Sequence, residues 1–194
     1  MFFVWTIASA VNIDSNILSE DYNQYIDEWT QHPIQYELLY RGSRDGFEGK
    51  DFHRMVDDHK NTLTVIKSQN GNIFGGFTDV AWDSSKGTGQ FMEANELWLF
   101  TLKNPYDIPP TKISSNSQSR SIYYVGGYSA SFGKKGDLTI RNNCDISRMS
   151  NNLNFPYSFI DSTGKGNELF DGQPIWKCEE VEVFSIHYDD SEEL

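Results

Sequence analysis

The stretch from Leu38 to Trp82 constrains this chain most, because it holds a turn-rich corner and a hairpin that together fix where the backbone must double back. Thr62 to Lys67 (TLTVIK) is β-branched and strand-like, Asn70-Gly71-Asn72 is a turn signal, and Ile73 to Thr78 (IFGGFT) is the returning strand. The paired Gly75 and Gly76 predict a bulge or a close approach of another backbone. Upstream, LLYRGSRDGF from Leu38 to Phe47 combines an apolar strand-like triplet with two arginines, an aspartate and two glycines. Glycine suits angles that other residues resist, and the adjacent charges can satisfy one another, so the run reads as a structured corner.

The remaining segments follow the same logic. Leu18 to Thr30 reads as a helix: Ser19 suits the N-cap, Glu20 and Asp21 suit the dipole, and Leu18, Tyr22, Tyr25, Ile26 and Trp29 share one face. Pro33 marks its end. Lys50 to Asp58 is a short helix with Phe52, Met55 and Val56 inward. Glu96 to Leu102 (ELWLFTL) is almost continuously apolar, which implies burial on both faces or a central position. Pro109 to Arg120 turns to Pro, Ser, Asn and Gln and reads as an exposed loop. Strands resume at Ile122 to Val125, Tyr128 to Phe132, Asp137 to Ile140 and Glu179 to Ile186. Many short strands with two helices predict an α+β, mostly β fold, a sandwich of sheets with helices at its edge.

With 194 residues and no long apolar run, the chain suits one soluble domain without a transmembrane segment. Residues 1–11 read as a first strand or an N-terminal edge, 12–188 as the domain, and 189–194 as an acidic, disordered tail. Met1 to Ala10 ends in Ala8-Ser9-Ala10, which imitates a leader cleavage site, but the positive region of a leader is missing. A net charge of −12 argues against nucleic acid and against an anionic membrane face, and leaves a protein partner as the expected contact. Cys144 and Cys178 stand far apart without a second pair, and read as reduced, buried thiols.

Chemistry can be built only at one place. Asp45, Asp51 and His53 lie close in sequence and could form a His-carboxylate pair with Ser43 as nucleophile. Nothing identifies an oxyanion hole, and Ser43 is not on a strand-to-helix elbow. The competing reading makes Arg41, Arg44 and Asp45 an ion-paired brace with His53 satisfied nearby. Ser162-Thr163-Gly164-Lys165-Gly166 lacks the first glycine and the final Ser or Thr of a phosphate loop, and reads as a flexible turn. His32, His53, His59 and His187 show no metal-ligand spacing, and Asp57-Asp58 with His59, which could bind a stray ion only weakly, reads as the solvated acidic end of a helix. No metal or cofactor is expected.

An ordered series of motifs resembles the TLDc family, the domain of the oxidation-resistance proteins, in its amoeboid and ciliate branch. It comprises Ile13-Asp14-Ser15, LLYRGSRDGF, Lys50-Asp51-Phe52-His53, TLTVIKS from Thr62 to Ser68 and FGGFT from Phe74 to Thr78 with Trp82. It continues through SFG and GDL from Ser131 to Leu138, Asn143-Cys144, and EVEVFSI from Glu180 to Ile186. The resemblance spans roughly residues 12 to 187. It implies two antiparallel sheets packed face to face with flanking helices, a bearing on oxidative-stress resistance, and binding to peripheral subunits of the vacuolar proton-pumping ATPase (V-ATPase). It implies a cytoplasmic domain, recruited to vacuolar or endolysosomal membranes through a partner, and it carries no agreed catalytic set. Its signature falls on Arg41, Gly42, Arg44, Asp45, Gly46, Phe47, Phe52, Gly75 and Gly76. Two departures stand out. Glu48-Gly49 replaces the usual Ser or Thr before the short helix, so a capping box with Asp51 is expected to be lost. Where relatives of this branch have a glycine run after Phe132, this chain reads Gly133-Lys134-Lys135-Gly136, and the two lysines enlarge an otherwise minimal turn into an expected contact loop on an acidic body. The expected function is a protein-interaction domain, the alternatives being an enzyme at Asp45, Asp51 and His53 or a C-terminal adaptor domain of a longer protein.

Overall fold

The computed structural model describes residues 13–31, 34–86, 89–116, 120–124 and 127–188. The expectations for residues 1–11 and 189–194, and for His32, Pro33 and Val125, lie outside these. The helices are α1 (Glu20–Thr30), α2 (Gly42–Asp45) and α3 (Gly49–Val56). The strands are β1 (Ile34–Arg41), β2 (Thr62–Ser68), β3 (Ile73–Thr78), β4 (Gln90–Glu93), β5 (Leu97–Lys103) and β6 (Thr111–Ser114). They continue with β7 (Ser121–Tyr124), β8 (Tyr128–Phe132), β9 (Leu138–Arg141), β10 (Ser150–Asn151), β11 (Ile175–Trp176) and β12 (Cys178–Tyr188).

These strands form two antiparallel sheets of six. One runs β1-β12-β2-β3-β5-β6 and the other β11-β10-β9-β8-β7-β4. The expected mostly β sandwich with flanking helices is therefore the observed one. Between the sheets lies a core that includes Tyr40, Phe52, Phe74, Leu99, Phe132 and Trp176. A second apolar layer, with Ile26, Phe77, Trp98, Phe100 and Phe184, lies on the other side of the first sheet. There α1 packs, its Trp29 ring 6.0 Å from those of Trp98 and Phe100. The unbroken apolar run of β5 follows from this: Leu97 and Leu99 face one layer while Trp98, Phe100 and Leu102 face the other. Burying Ile26 completely contributes about 1.5–3 kcal/mol to holding α1 down.

Local chemistry explains several junctions. Ser19 occupies the N-cap of α1 without a side-chain bond. One turn earlier, Ser15 Oγ accepts the N–H groups of Ile17 and Leu18 at 3.0 and 2.7 Å and donates to Glu182 at 2.5 Å. The hairpin pairs Thr62 with Thr78 through Lys67 with Ile73. Gly75 is a site of close approach, because a Cβ there would fall on the Thr64 carbonyl oxygen and the Phe100 ring. A register shift lies nearby, between Ile73 and Phe74 in the pairing of β3 with β5.

Three expectations are corrected. Pro109 to Arg120 is not wholly a loop: Thr111–Ser114 is the edge strand β6, paired with β5 and anchored by the fully buried Ile113. Its four residues are too short for alternation to show against a Ser- and Asn-rich surround. Cys144 and Cys178 are joined in a disulfide, their Cα atoms 5.3 Å apart. The bond ties the loop after β9 in one sheet to the start of β12 in the other, a proximity that separation in sequence hid. The capping box of α3 is also kept. Glu48 stands at the N-cap, and the Asp51 carboxylate accepts the Glu48 N–H at 3.3 Å. A glutamate can do the work of Ser or Thr because its carboxylate reaches the same first-turn N–H groups.

Candidate functional site

The signature corner leaves β1 at Arg41, makes one helical turn as α2 and enters α3 at Gly49. Arg41 donates through Nε to the fully buried Glu182 at 2.7 Å and through Nη2 to Asp14 at 2.8 Å. Arg44 Nη2 donates to the Leu39 carbonyl at 3.0 Å and to Asp45 at 2.8 Å. Asp45 also accepts the Arg41 backbone N–H at 2.9 Å. Burial pulls the Asp45 carboxyl up, but the Arg44 guanidinium and the Arg41 N–H outweigh it and hold it below the usual carboxylate range. Gly46 has φ of 107° and any side chain there would meet the Asp51 carboxylate, so glycine is required twice over. The Tyr40 hydroxyl donates to the Gly46 carbonyl at 2.7 Å and closes the corner. Phe52 packs edge-on against Tyr40 and Trp82 inside the core.

Beside α3 opens a cleft of about 380 Å³ lined by residues including Lys50, His53, Arg54, Ser84, Tyr124 and Asn142. His53 is buried, with Nδ1 2.7 Å from Asp57 Oδ1 and Nε2 3.2 Å from the Tyr128 carbonyl. Asp57 Oδ2 accepts the Ser84 N–H and hydroxyl at 2.9 and 2.5 Å. Asp57 is thus a hub joining α3 to the turn at Ser84, which corrects its reading as a solvated helix end. The missed signal is the i, i+4 spacing of His53 and Asp57 on one helix face.

The candidates for catalysis do not converge. Ser43 donates its hydroxyl to Glu180 and accepts nothing from His53, while Asp45 and Asp51 are engaged with Arg44 and Glu48. In the chain Ser84–Asp57–His53 the carboxylate stands between serine and histidine, whereas a triad needs the imidazole in the middle to take the hydroxyl proton. Both imidazole nitrogens already face acceptors, so neither is turned to a substrate. The Ser162 to Gly166 loop is closed to phosphate by its own residue: Asp161 accepts the N–H groups of Thr163, Gly164 and Gly166 at 2.8, 3.2 and 2.8 Å. No group of three or more His, Cys, Asp or Glu among the described residues could hold a metal ion. No helix among them is long and apolar enough to cross a membrane.

The corner, the glycine hairpin, Trp82 and the closing strand β12 stand in the order that the motif series gave. The family model of the TLDc domain matches residues 11–187, nearly the whole chain. The chain belongs to the TLDc domain family.

Proposed function

We propose that this chain is a non-enzymatic protein-interaction domain that bears on resistance to oxidative stress, on regulation of the vacuolar proton-pumping ATPase, or on both. The observation that carries this reading is the family match over residues 11–187. The site geometry supports it, since Ser43, Asp45, Asp51 and His53 are each engaged with scaffold groups rather than with one another. In this reading Arg41, Gly42, Arg44, Asp45, Gly46, Phe47, Phe52, Gly75 and Gly76 hold the fold. The domain works in the cytoplasm and reaches vacuolar or endolysosomal membranes through its partner.

An affinity pull-down from its own cells tests the pump part. Recovery of peripheral ATPase subunits is expected, and their absence where a known relative recovers them overturns it. Replacing His53 by Ala tests the enzymatic alternative: a folded His53→Ala variant keeps peroxide protection if the domain acts by binding, and loses it if His53 turns over a substrate. The compartment is tested by lysing cells directly into denaturant with an alkylating agent, since both sulfurs are buried in the fold. A reducing cytoplasm leaves Cys144 and Cys178 free to react once unfolded, whereas a pair that reacts only after added reductant places the domain in oxidising surroundings.

A further inference from the structure

Two loops that are remote in sequence form one surface. Gly133 to Gly136 carries Lys134 and Lys135, both exposed. The segment from Leu153 to Ile160 lies beside it: Asn154 Nδ2 donates to the Lys135 carbonyl at 2.6 Å, and Ser158 Oγ accepts the Lys134 N–H at 2.9 Å. Phe155 and Phe159 plug into the core from this segment, while Leu153, Tyr157 and Ile160 point outward with half or more of their surface exposed. The Lys135 ammonium sits 4.1 Å from the Tyr157 ring centroid. Beneath both loops the buried Asp137 accepts the Ser158 N–H at 2.7 Å and so pins them together. Neither lysine pairs with a carboxylate among the described residues.

On a chain of net charge −12, two lysines without a carboxylate partner among the described residues, rimming exposed apolar side chains, are a local reversal of sign. An apolar centre with a charged rim is the anatomy of a binding surface, and the rim charge selects the partner. Exposed apolar side chains that are grouped rather than scattered singly mark such contacts, and Leu153, Tyr157 and Ile160 are grouped in one short segment. We infer that Lys134, Lys135, Tyr157 and Ile160 form a docking surface for an acidic protein segment bearing an apolar or aromatic anchor. This rests on the reading of the domain as a protein-interaction module and gives that module a face and a partner chemistry.

The test uses the full chain and a labelled peptide of alternating Glu and Asp around a Leu-Phe pair, beside the same peptide with Lys at every acidic position. The acidic peptide is expected to shift the amide resonances of Gly133 to Gly136 and Asn154 to Ile160. Its affinity should fall roughly tenfold in the double variant Lys134→Glu, Lys135→Glu and in Tyr157→Ser, both of which keep the wild-type melting curve. The lysine peptide should not bind. Unmoved resonances in these loops, or equal affinity for the charge-reversed variant, overturn the surface. Self-association of the wild type that disappears in the charge-reversed variant overturns the choice of occupant in favour of a second copy of the chain. The two proposals fail separately. Pump subunits recovered equally by the charge-reversed variant overturn the surface alone, while a wild type that recovers none but binds the acidic peptide overturns the pump reading alone.

Discussion

Asp137 shows how one residue can tie stability to pH. It is fully buried, with Oδ1 on the Ser158 N–H and Oδ2 without a partner among the described residues. Burial pushes its carboxyl from an ordinary value of 3.8 up to about 6. The folded chain therefore holds a proton that the unfolded chain releases near 3.8, so this contribution to stability is fully present below that value and is lost as pH rises through about 6. Urea unfolding should show the wild type losing roughly 1 kcal/mol relative to Asp137→Asn between about pH 5 and about pH 7. Parallel stability curves for the two proteins would count against it. Gly75 carries a different demand, for space. Gly75→Ala drives a methyl group into the Thr64 carbonyl oxygen, backbone that cannot yield without opening the hairpin, and should lower stability by about 3 kcal/mol or more in the same measurement.

Among the elements, the joint between sheets is the most exposed to chemistry. The Cys144–Cys178 bond closes a loop whose ends are 34 residues apart, and both sulfurs are buried. Cys144→Ser with Cys178→Ser should lower unfolding free energy by about 2–4 kcal/mol, read by denaturant titration, and wild type titrated with a thiol reductant present should match the double variant. The elements that were legible in the sequence are those whose period or turn chemistry is local. The hairpin β2-β3 announced itself through Asn70-Gly71-Asn72, α1 through the spacing of Tyr22, Ile26 and Trp29, and β5 through its almost continuous apolar run from Leu97 to Leu102. What escaped is set by neighbours. Strands β6, β10 and β11 are short and take their conformation from the strands they pair with, and the disulfide joins residues that only the stacked sheets bring together. At the site, Arg44 with Asp45 was legible from adjacency. The use of Glu182, Glu180 and Asp57 was not, because two of these partners arrive from β12.

At the scale of the whole molecule, the two apolar layers share the first sheet as a common wall. Trp82 and Trp176 report on the layer between the sheets and Trp98 on the layer under α1. Since neither layer can empty without exposing that wall, unfolding should be a single transition, with tryptophan emission and far-ultraviolet circular dichroism superimposing. Separate midpoints would show that α1 and its layer melt alone. The order of the first sheet carries a further consequence. Its second position is held by β12, residues 178–188, which hydrogen-bonds to β1 on one side and β2 on the other. During synthesis, β1 and the β2-β3 hairpin leave the ribosome with an open gap between them, and Arg41 has no Glu182 to hold. The sheet can close only when β12 arrives, which begins at Cys178, well after the hairpin ends at Thr78, so over that whole interval of synthesis the nascent chain carries two unpaired edges that other molecules must be kept from filling.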